Sequence, residues 1–115
     1  MNLLSSFFGG PVPVISVQEL HGELKDGKQP FLLDVRQPEE FRLGHIAGAK
    51  LIPLGELDRR IHEIPLDREI VCICASGHRS VPAVQILKAA GYTASSMQHG
   101  MLAWQIAKLP VNKGL

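Results

Sequence analysis

The chain has 115 residues, of which 12 are Lys or Arg and 11 are Asp or Glu, giving a formal net charge of +1. This length fits one domain and is enough to bury a hydrophobic core without disulfides or metal ions. The near-zero net charge gives no electrostatic basis for binding nucleic acid or an anionic membrane, so we expect neither as a partner.

The N-terminal segment differs in character from the rest of the chain. Residues 1–8 are mildly apolar and contain no Lys or Arg, and Gly9-Gly10-Pro11 comes directly after them. The segment lacks the basic start and long apolar stretch of a secretory signal, and no segment approaches the ~18 apolar residues of a membrane span. We therefore expect residues 1–13 to be a leader that packs on the domain or is disordered, with Phe7-Phe8 as an alternative docking patch.

The first half of the chain predicts two helices around a buried strand. Ser16-Val17-Gln18-Glu19 has the pattern of a capping box and predicts a helix that ends near Asp26-Gly27. Residues 31–35 form a continuous apolar run of the kind that is buried on both faces of a parallel sheet. Pro38–Leu43 predicts a short helix, which Gly44 ends.

The second half predicts alternating strands and helices. Strands are expected at residues 51–54, 70–73 and 93–97. One helix is expected to carry Leu57, Ile61 and Ile64 on one face. Two further helices are expected to span residues 80–90 and 101–108. This alternation predicts a three-layer α/β domain over residues 14–110, with a mainly parallel sheet and a short tail at residues 111–115.

A reactive cysteine is predicted where the strand at residues 70–73 leads into the helix that begins at Ser80. The segment Cys74-Ala75-Ser76-Gly77-His78-Arg79 places a thiol at the positive end of that helix and closes with a permanent cation. Both features favour the nucleophilic thiolate. Gly77 lets the loop curl so that successive N–H groups form an anion-binding nest. An isolated cysteine at a strand end is more often an inert buried residue, but this context favours chemistry.

Cys72 lies two residues before Cys74 in the same apolar run. Side chains two residues apart share one face of a strand at about 6.6 Å along it, which prevents a normal disulfide. We expect Cys72 to pack as a small apolar residue, with a resolving-thiol role as the alternative. Unbridged cysteines indicate a reducing compartment, so a cytoplasmic location is predicted.

Three further polar residues are candidates for supporting the loop. Asp34 is the charged residue of its apolar run and must find partners, and with Arg36 it is predicted to brace the loop. Capping of the loop to the following helix is the alternative for Asp34, and a direct role in the chemistry is the alternative for both residues. His45 is likewise interpreted as a hydrogen-bonded brace rather than a catalytic base. The five histidines show no paired metal-ligand spacing, so no metal site is predicted.

Four sequence blocks resemble the single-domain rhodaneses, a family of sulfurtransferases. They are Cys-x-x-Gly-x-Arg at 74–79, Leu33-Asp34-Val35-Arg36 followed by Pro38-Glu39-Glu40-Phe41, Gly44-His45-Ile46-Ala47-Gly48-Ala49, and Gly100-Met101-Leu102-Ala103-Trp104. The family often has Gly-Gly before the last block, whereas this chain has His99-Gly100, which leaves the conformation of that turn open. The resemblance implies a rhodanese-like fold.

The resemblance also implies a reaction. Cys74 would accept sulfane sulfur as a persulfide and yield it to a second nucleophile. The substrate-binding loop would comprise the next six residues, Ala75, Ser76, Gly77, His78, Arg79 and Ser80. Arg79, helped by His78 and the loop hydroxyls, would hold an anionic donor such as thiosulfate. The acceptor would be cyanide or a thiol, such as glutathione, thioredoxin or a sulfur-carrier protein, and no metal or organic cofactor is expected.

Two alternative functions come from other classes. Cysteine-dependent phosphatases and arsenate reductases also place a thiolate and an Arg at a helix start, but with one more residue between them than the four of this chain. A non-catalytic rhodanese-like docking module is usually recognised by loss of the cysteine, which is present here.

Overall fold

The computed structural model describes residues 11–115, which form a five-stranded parallel sheet with helices on both faces. The strands are β1 (Val14–Ile15), β2 (Phe31–Asp34), β3 (Lys50–Leu51), β4 (Ile70–Ile73) and β5 (Ala94–Met97). The helices are α1 (Val17–Lys25), α2 (Pro38–Leu43), α3 (Leu57–Arg60), α4 (Ser80–Ala89) and α5 (Gly100–Ile106), with 3-10 turns at Leu54–Glu56 and Ile61–Glu63. The predicted three-layer α/β class is confirmed. The suggested Phe7-Phe8 docking patch lies outside the described residues.

Local sequence signals place most elements correctly. At the start of α1 the predicted capping box forms, because the Glu19 N–H donates to the Ser16 hydroxyl at 3.0 Å and the Ser16 N–H donates to Glu19 Oε1 at 3.2 Å. Both bonds satisfy N–H groups that have no partner within the helix. The strands β2, β4 and β5 and the helices α2, α4 and α5 lie within about two residues of their expected bounds.

Two elements differ from expectation. The strand expected at residues 51–54 is the two-residue β3, because Pro53 has no N–H to give to a ladder and Leu54 begins a 3-10 turn. The helix expected to carry Leu57, Ile61 and Ile64 is the single turn α3, extended by a 3-10 turn.

Two segments near the limits of the described residues are also paired with the domain. The strand β1 was not predicted from the sequence, because its two residues are too few to show a periodicity, and it pairs with Ser96 and Met97 of β5. At the other end, Asn112 forms an antiparallel bridge with His45, and the Gly114 N–H donates to the Arg42 carbonyl at 2.9 Å. The predicted tail at residues 111–115 is therefore hydrogen-bonded to the domain.

The sheet has the strand order β1-β5-β4-β2-β3, and all neighbours are parallel. From β2 the chain moves to one side to form β3 and then returns to the other side to form β4. The order therefore reverses between β2 and β4, whose ends are joined by a 2.9 Å hydrogen bond from the Val35 N–H to the Ile73 carbonyl. In open α/β sheets, ligands bind outside the carboxyl ends of the strands at this kind of reversal.

Side chains alternate between two buried clusters, one on each face of the sheet. Leu33 and Cys72 point into the cluster under α3 and α4, whereas Leu32 and Val71 point into the cluster under α1 and α5. Both faces of the central strands are thus buried, which explains their continuous apolar sequences. Within residues 11–115, no helix combines the length and the apolar character needed to cross a membrane.

The turn before α5 adopts a left-handed backbone. His99 has φ 61° and Gly100 has φ 58°, and the N–H groups of Met101 and Leu102 donate to the carbonyls of Cys74 and Ala75 at 2.8 and 2.9 Å. A Cβ on Gly100 would overlap the Cys74 carbonyl oxygen and lie 2.6 Å from the Ala75 carbonyl carbon. The turn therefore forms with His99 in place of the first glycine, but its second position requires the absence of a side chain.

We expect Gly100→Ala to lower the free energy of unfolding by roughly 3 kcal/mol or more, through overlap with the backbone and the left-handed φ. Gly22→Ala is the matched control, because Gly22 lies inside α1 with no atom near its missing Cβ. It should raise the free energy of unfolding by about 0.5–1 kcal/mol. Urea denaturation followed by circular dichroism measures both changes. Equal stability of the Gly100→Ala variant and the unmodified protein would contradict the packing described for this turn.

Candidate active site

The loop at 74–79 connects the end of β4 to the start of α4 and surrounds the sulfur of Cys74. Cys74 has 0% of its surface exposed. The N–H of Gly77 donates to its Sγ at 3.1 Å and the N–H of Ser80 donates at 3.3 Å. Gly77 reaches this position with φ +94°, a conformation that L side chains rarely adopt. The loop therefore directs two backbone dipoles at one sulfur atom, which favours negative charge on that atom.

Two buried hydroxyls extend this arrangement. The Cys74 Sγ lies 3.5 Å from Ser80 Oγ, which lies 2.6 Å from Ser96 Oγ on β5. Ser80 is 0% exposed and Ser96 is 2% exposed. Within residues 11–115, the Ser96 hydroxyl has this single hydrogen-bond partner.

The number of hydrogens in this chain of three atoms depends on the state of the sulfur. With a thiolate, Ser96 donates to Ser80 and Ser80 donates to Sγ, so both hydroxyl hydrogens are used. With a thiol, the sulfur and the two hydroxyls carry three hydrogens in total. The chain has only two contacts, so one hydrogen has no acceptor within it. The hydroxyl chain therefore has hydrogens for both of its contacts when the sulfur accepts one, and it can give Sγ a third hydrogen bond beside those from the Gly77 and Ser80 N–H groups.

The cation of the loop is paired. Both terminal nitrogens of Arg79 donate to the carboxylate of Glu40, each at 2.7 Å. This hydrogen bond is the largest cause that lowers the pKa of Glu40, to about 2, and Glu40 in turn raises the pKa of Arg79. The guanidinium of Arg79 beside the site is therefore bound in an ion pair with Glu40.

Asp34 and Arg36 form a second, buried ion pair. The Arg36 Nε and a terminal nitrogen donate to the two Asp34 oxygens at 2.9 and 2.8 Å. The guanidinium also donates to the carbonyls of Glu40 at 3.3 Å and Gly44 at 2.8 Å. Because Glu40 binds Arg79 through its side chain, Arg36 connects the end of β2 to the reactive loop. These contacts suit the bracing role expected for Asp34 and Arg36.

His45 lies against α2. Its Nδ1 is 2.8 Å from the Phe41 carbonyl oxygen, a contact that requires a proton on Nδ1, and its ring stacks on Phe41 with centroids 3.7 Å apart. Its backbone pairs with Asn112. These contacts involve α2 and the C-terminal segment, which fits a structural brace outside the immediate surroundings of the sulfur.

The remaining loop side chains face outward. Ser76 and His78 are exposed, and the Ser76 hydroxyl lies 2.9 Å from His78 Nδ1. Ala75 lines a pocket of about 280 Å³, whose other lining residues include Glu40, Leu43, Met101 and Leu102. The pocket adjoins the loop and presents mainly apolar side chains.

Cys72 has a different environment from Cys74. Both cysteines are free, but burial, reinforced by the negative charge of Cys74, raises the pKa of Cys72 to about 12. Cys72 is therefore a neutral thiol near pH 7 and packs in the core beside Leu33. This environment supports the expected packing role and gives little basis for a resolving thiol.

Two residues of the site were not identified as such from the sequence. Glu40 was recognised only as part of a family block, and Ser96 is one of two serines in an unremarkable strand. Glu40 is 39 residues from Arg79 and Ser96 is 16 residues from Ser80. A local sequence pattern cannot indicate contacts between residues so far apart in the chain. A serine within a strand that is buried in the domain could, however, have indicated a polar contact.

We expect Ser96→Ala to slow the alkylation of Cys74 by iodoacetamide at pH 7 several-fold, because Ser80 loses the hydroxyl that orients its own hydrogen toward the sulfur. Ser95→Ala on the same strand is the control, since Ser95 lies outside this hydroxyl chain. An unchanged rate in Ser96→Ala, or an equal change in both variants, would contradict this arrangement of the two hydroxyls.

Comparisons with known proteins identify the family of the chain. The model of the Rhodanese-like domain family matches residues 16–107. An HTH-type transcriptional regulator of Mycobacterium tuberculosis is 39% identical over 108 residues, which are 92% of this chain and 47% of that protein. A sulfurtransferase of Allochromatium vinosum is 35% identical over 98 residues, 84% of this chain and 92% of that protein. The chain spans less than half the length of several curated relatives that it matches.

A solved structure supports the same assignment. The rhodanese-related protein of Thermoplasma volcanium superposes with a TM-score of 0.82 at 31% identity, covering 87% of this chain and 97% of that one. The family model and this superposition both cover nearly the whole described domain, and the chain belongs to the rhodanese-like domain family.

Proposed function

We propose that this chain is a sulfurtransferase that carries sulfane sulfur as a persulfide on Cys74. The observation that carries the proposal is the pair of backbone N–H groups, from Gly77 and Ser80, that converge on Sγ at 3.1 and 3.3 Å. Such donors stabilise the thiolate that attacks, and they are equally suited to the persulfide anion that results. The family assignment and the sulfurtransferase among its relatives support the same reaction.

The proposed first step is a displacement at sulfur. The Cys74 thiolate attacks the sulfane sulfur of a donor such as thiosulfate, a new S–S bond forms, and the bond to the leaving group breaks. With thiosulfate the bonding electron pair leaves with sulfite, and Cys74 keeps one added sulfur and one negative charge. Neither an oxidant nor a further proton is required.

The second step transfers that sulfur to an acceptor. Cyanide in an assay, or a thiol such as glutathione, thioredoxin or a sulfur-carrier protein, attacks the outer sulfur and releases the Cys74 thiolate. Splitting the reaction at a covalent intermediate replaces one difficult transfer by two easier ones. The free cysteines suit a reducing compartment such as the cytoplasm.

The alternatives receive less support from the site. A docking module has no need of a cysteine that two N–H groups bind, and phosphoryl transfer needs donors arranged around three phosphate oxygens. Here the N–H groups of Gly77 and Ser80 are directed at the sulfur itself.

We expect Cys74→Ser to abolish sulfur transfer while leaving the fold intact, because oxygen cannot hold the persulfide and the change is nearly isosteric. Cys72→Ser should keep most of the activity, since Cys72 is a neutral buried thiol. Intact-protein mass spectrometry after incubation with thiosulfate should show one added sulfur atom in the unmodified protein and in Cys72→Ser only. A folded but inactive Cys72→Ser variant would show that Cys74 is not the single essential thiol.

A phosphatase assay tests the competing chemistry. We expect no useful turnover of aryl phosphates and only weak inhibition by vanadate, because the loop has four residues between Cys74 and Arg79. Insertion of one Gly after Ser76 should impair sulfur transfer and improve oxyanion binding. Efficient aryl phosphatase turnover by the unmodified protein, lost in Cys74→Ser, would refute the sulfurtransferase proposal.

A further inference from the structure

The charges beside the reactive loop cancel in pairs. Arg36 is bound to Asp34, and Arg79 is bound to Glu40 with both contacts at 2.7 Å. The low pKa of Glu40, about 2, keeps its carboxylate ionised at any pH at which the protein would hold a thiolate. A dianionic donor that approaches the Cys74 thiolate therefore meets arginines that already have carboxylate partners.

The two ion pairs differ in accessibility. The side chains of Arg36 and Asp34 are 5% and 0% exposed, whereas those of Arg79 and Glu40 are 36% and 34% exposed. A ligand can therefore reach the second pair and compete with it, but it cannot displace the first pair without unfolding its surroundings. Glu40 is consequently the carboxylate against which an anionic donor must compete.

The surroundings of Glu40 also offer a place for an organic group. The pocket of about 280 Å³ beside Ala75 is lined by the polar side chains of Arg36, Glu40 and Gln105 and by the apolar side chains of Leu43, Met101 and Leu102. Leu43 is 78% exposed and Leu102 is 57% exposed, so apolar surface is available next to the loop. Thiosulfate has no apolar part to place there.

We propose that Glu40 is a specificity-determining residue that holds Arg79 in an ion pair and so favours organic sulfane donors with one negative charge over dianionic thiosulfate. Organic thiosulfonates and alkyl persulfides belong to this class. The proposal rests on the proposed sulfur transfer at Cys74. The bond changes are the same as with thiosulfate, except that the electron pair leaves with an organic sulfinate or thiolate and not with sulfite.

The experiment compares two donors that differ by one charge. Methanethiosulfonate has a methyl group where thiosulfate has a charged oxygen, and both donate the same sulfur. The rate at which each donor loads Cys74 with one sulfur atom is measured by rapid quenching and mass spectrometry, for the unmodified protein and for Glu40→Gln. Gln can still accept the N–H of Gln37, which Glu40 Oε1 accepts at 3.0 Å, so α2 keeps its cap.

We expect Glu40→Gln to raise the ratio of the thiosulfate loading rate to the methanethiosulfonate loading rate on the order of tenfold. The reason is that the freed positive charge of Arg79 attracts the second negative charge, which only thiosulfate carries. Glu39→Gln is the matched control, because it removes the same charge from the exposed neighbour of Glu40 in α2. It should leave the ratio unchanged. In the double variant Glu40→Gln with Arg79→Ala, the gain in the ratio should disappear.

Four outcomes would overturn the inference. An unchanged ratio with both donors slowed equally would mean that Glu40 only supports the loop. A gain that persists without Arg79, or one that also occurs in Glu39→Gln, would mean that the ion pair is not its source. Failure of both donors to load Cys74 in the unmodified protein would instead refute the proposed function, and this inference with it.

Discussion

Two backbone hydrogen bonds hold the start of the reactive loop against the last helix. The first N–H groups of α5, from Met101 and Leu102, have no partner within their helix and bind the carbonyls of Cys74 and Ala75. This contact fixes the peptide units next to the sulfur. The N–H groups on the far side of the loop can then reach Sγ. The glycine at position 100 is what allows the two segments to approach so closely.

The two ion pairs beside this loop have different physical roles. Removing one partner from a buried pair such as Asp34–Arg36 typically costs about 3–5 kcal/mol, because a charge is left in an apolar environment. A partly exposed pair such as Glu40–Arg79 contributes about 1 kcal/mol or less to stability, since water solvates both partners when the pair opens. The inner pair is therefore suited to a structural role beside the site. The outer pair can open at little cost in stability, as the proposed competition with a ligand requires.

Most elements and the candidate loop around Cys74 were predictable because their signals are local. The capping box at Ser16 and the apolar runs of β2 and β4 lie within a few consecutive residues, and the motif around Cys74 is a single loop. The partners of that loop were not predictable in the same way. Ser96 and Glu40 reach it only after the strands have paired, and the two-residue β1 is defined by its register on β5 and by no pattern of its own.

Because Cys74 is completely buried, how fast its sulfur reacts and how often a reagent can reach it are separate quantities. In the proposed reaction, a reagent would reach the sulfur only in the fraction of molecules in which the surroundings of Cys74 have opened, and its apparent rate would be the intrinsic rate reduced by that fraction. Peroxide would be subject to the same restriction as a sulfur donor. A thiolate that would be open to irreversible oxidation on an exposed surface would therefore be shielded for most of the time, at the expense of slower encounter with its partners.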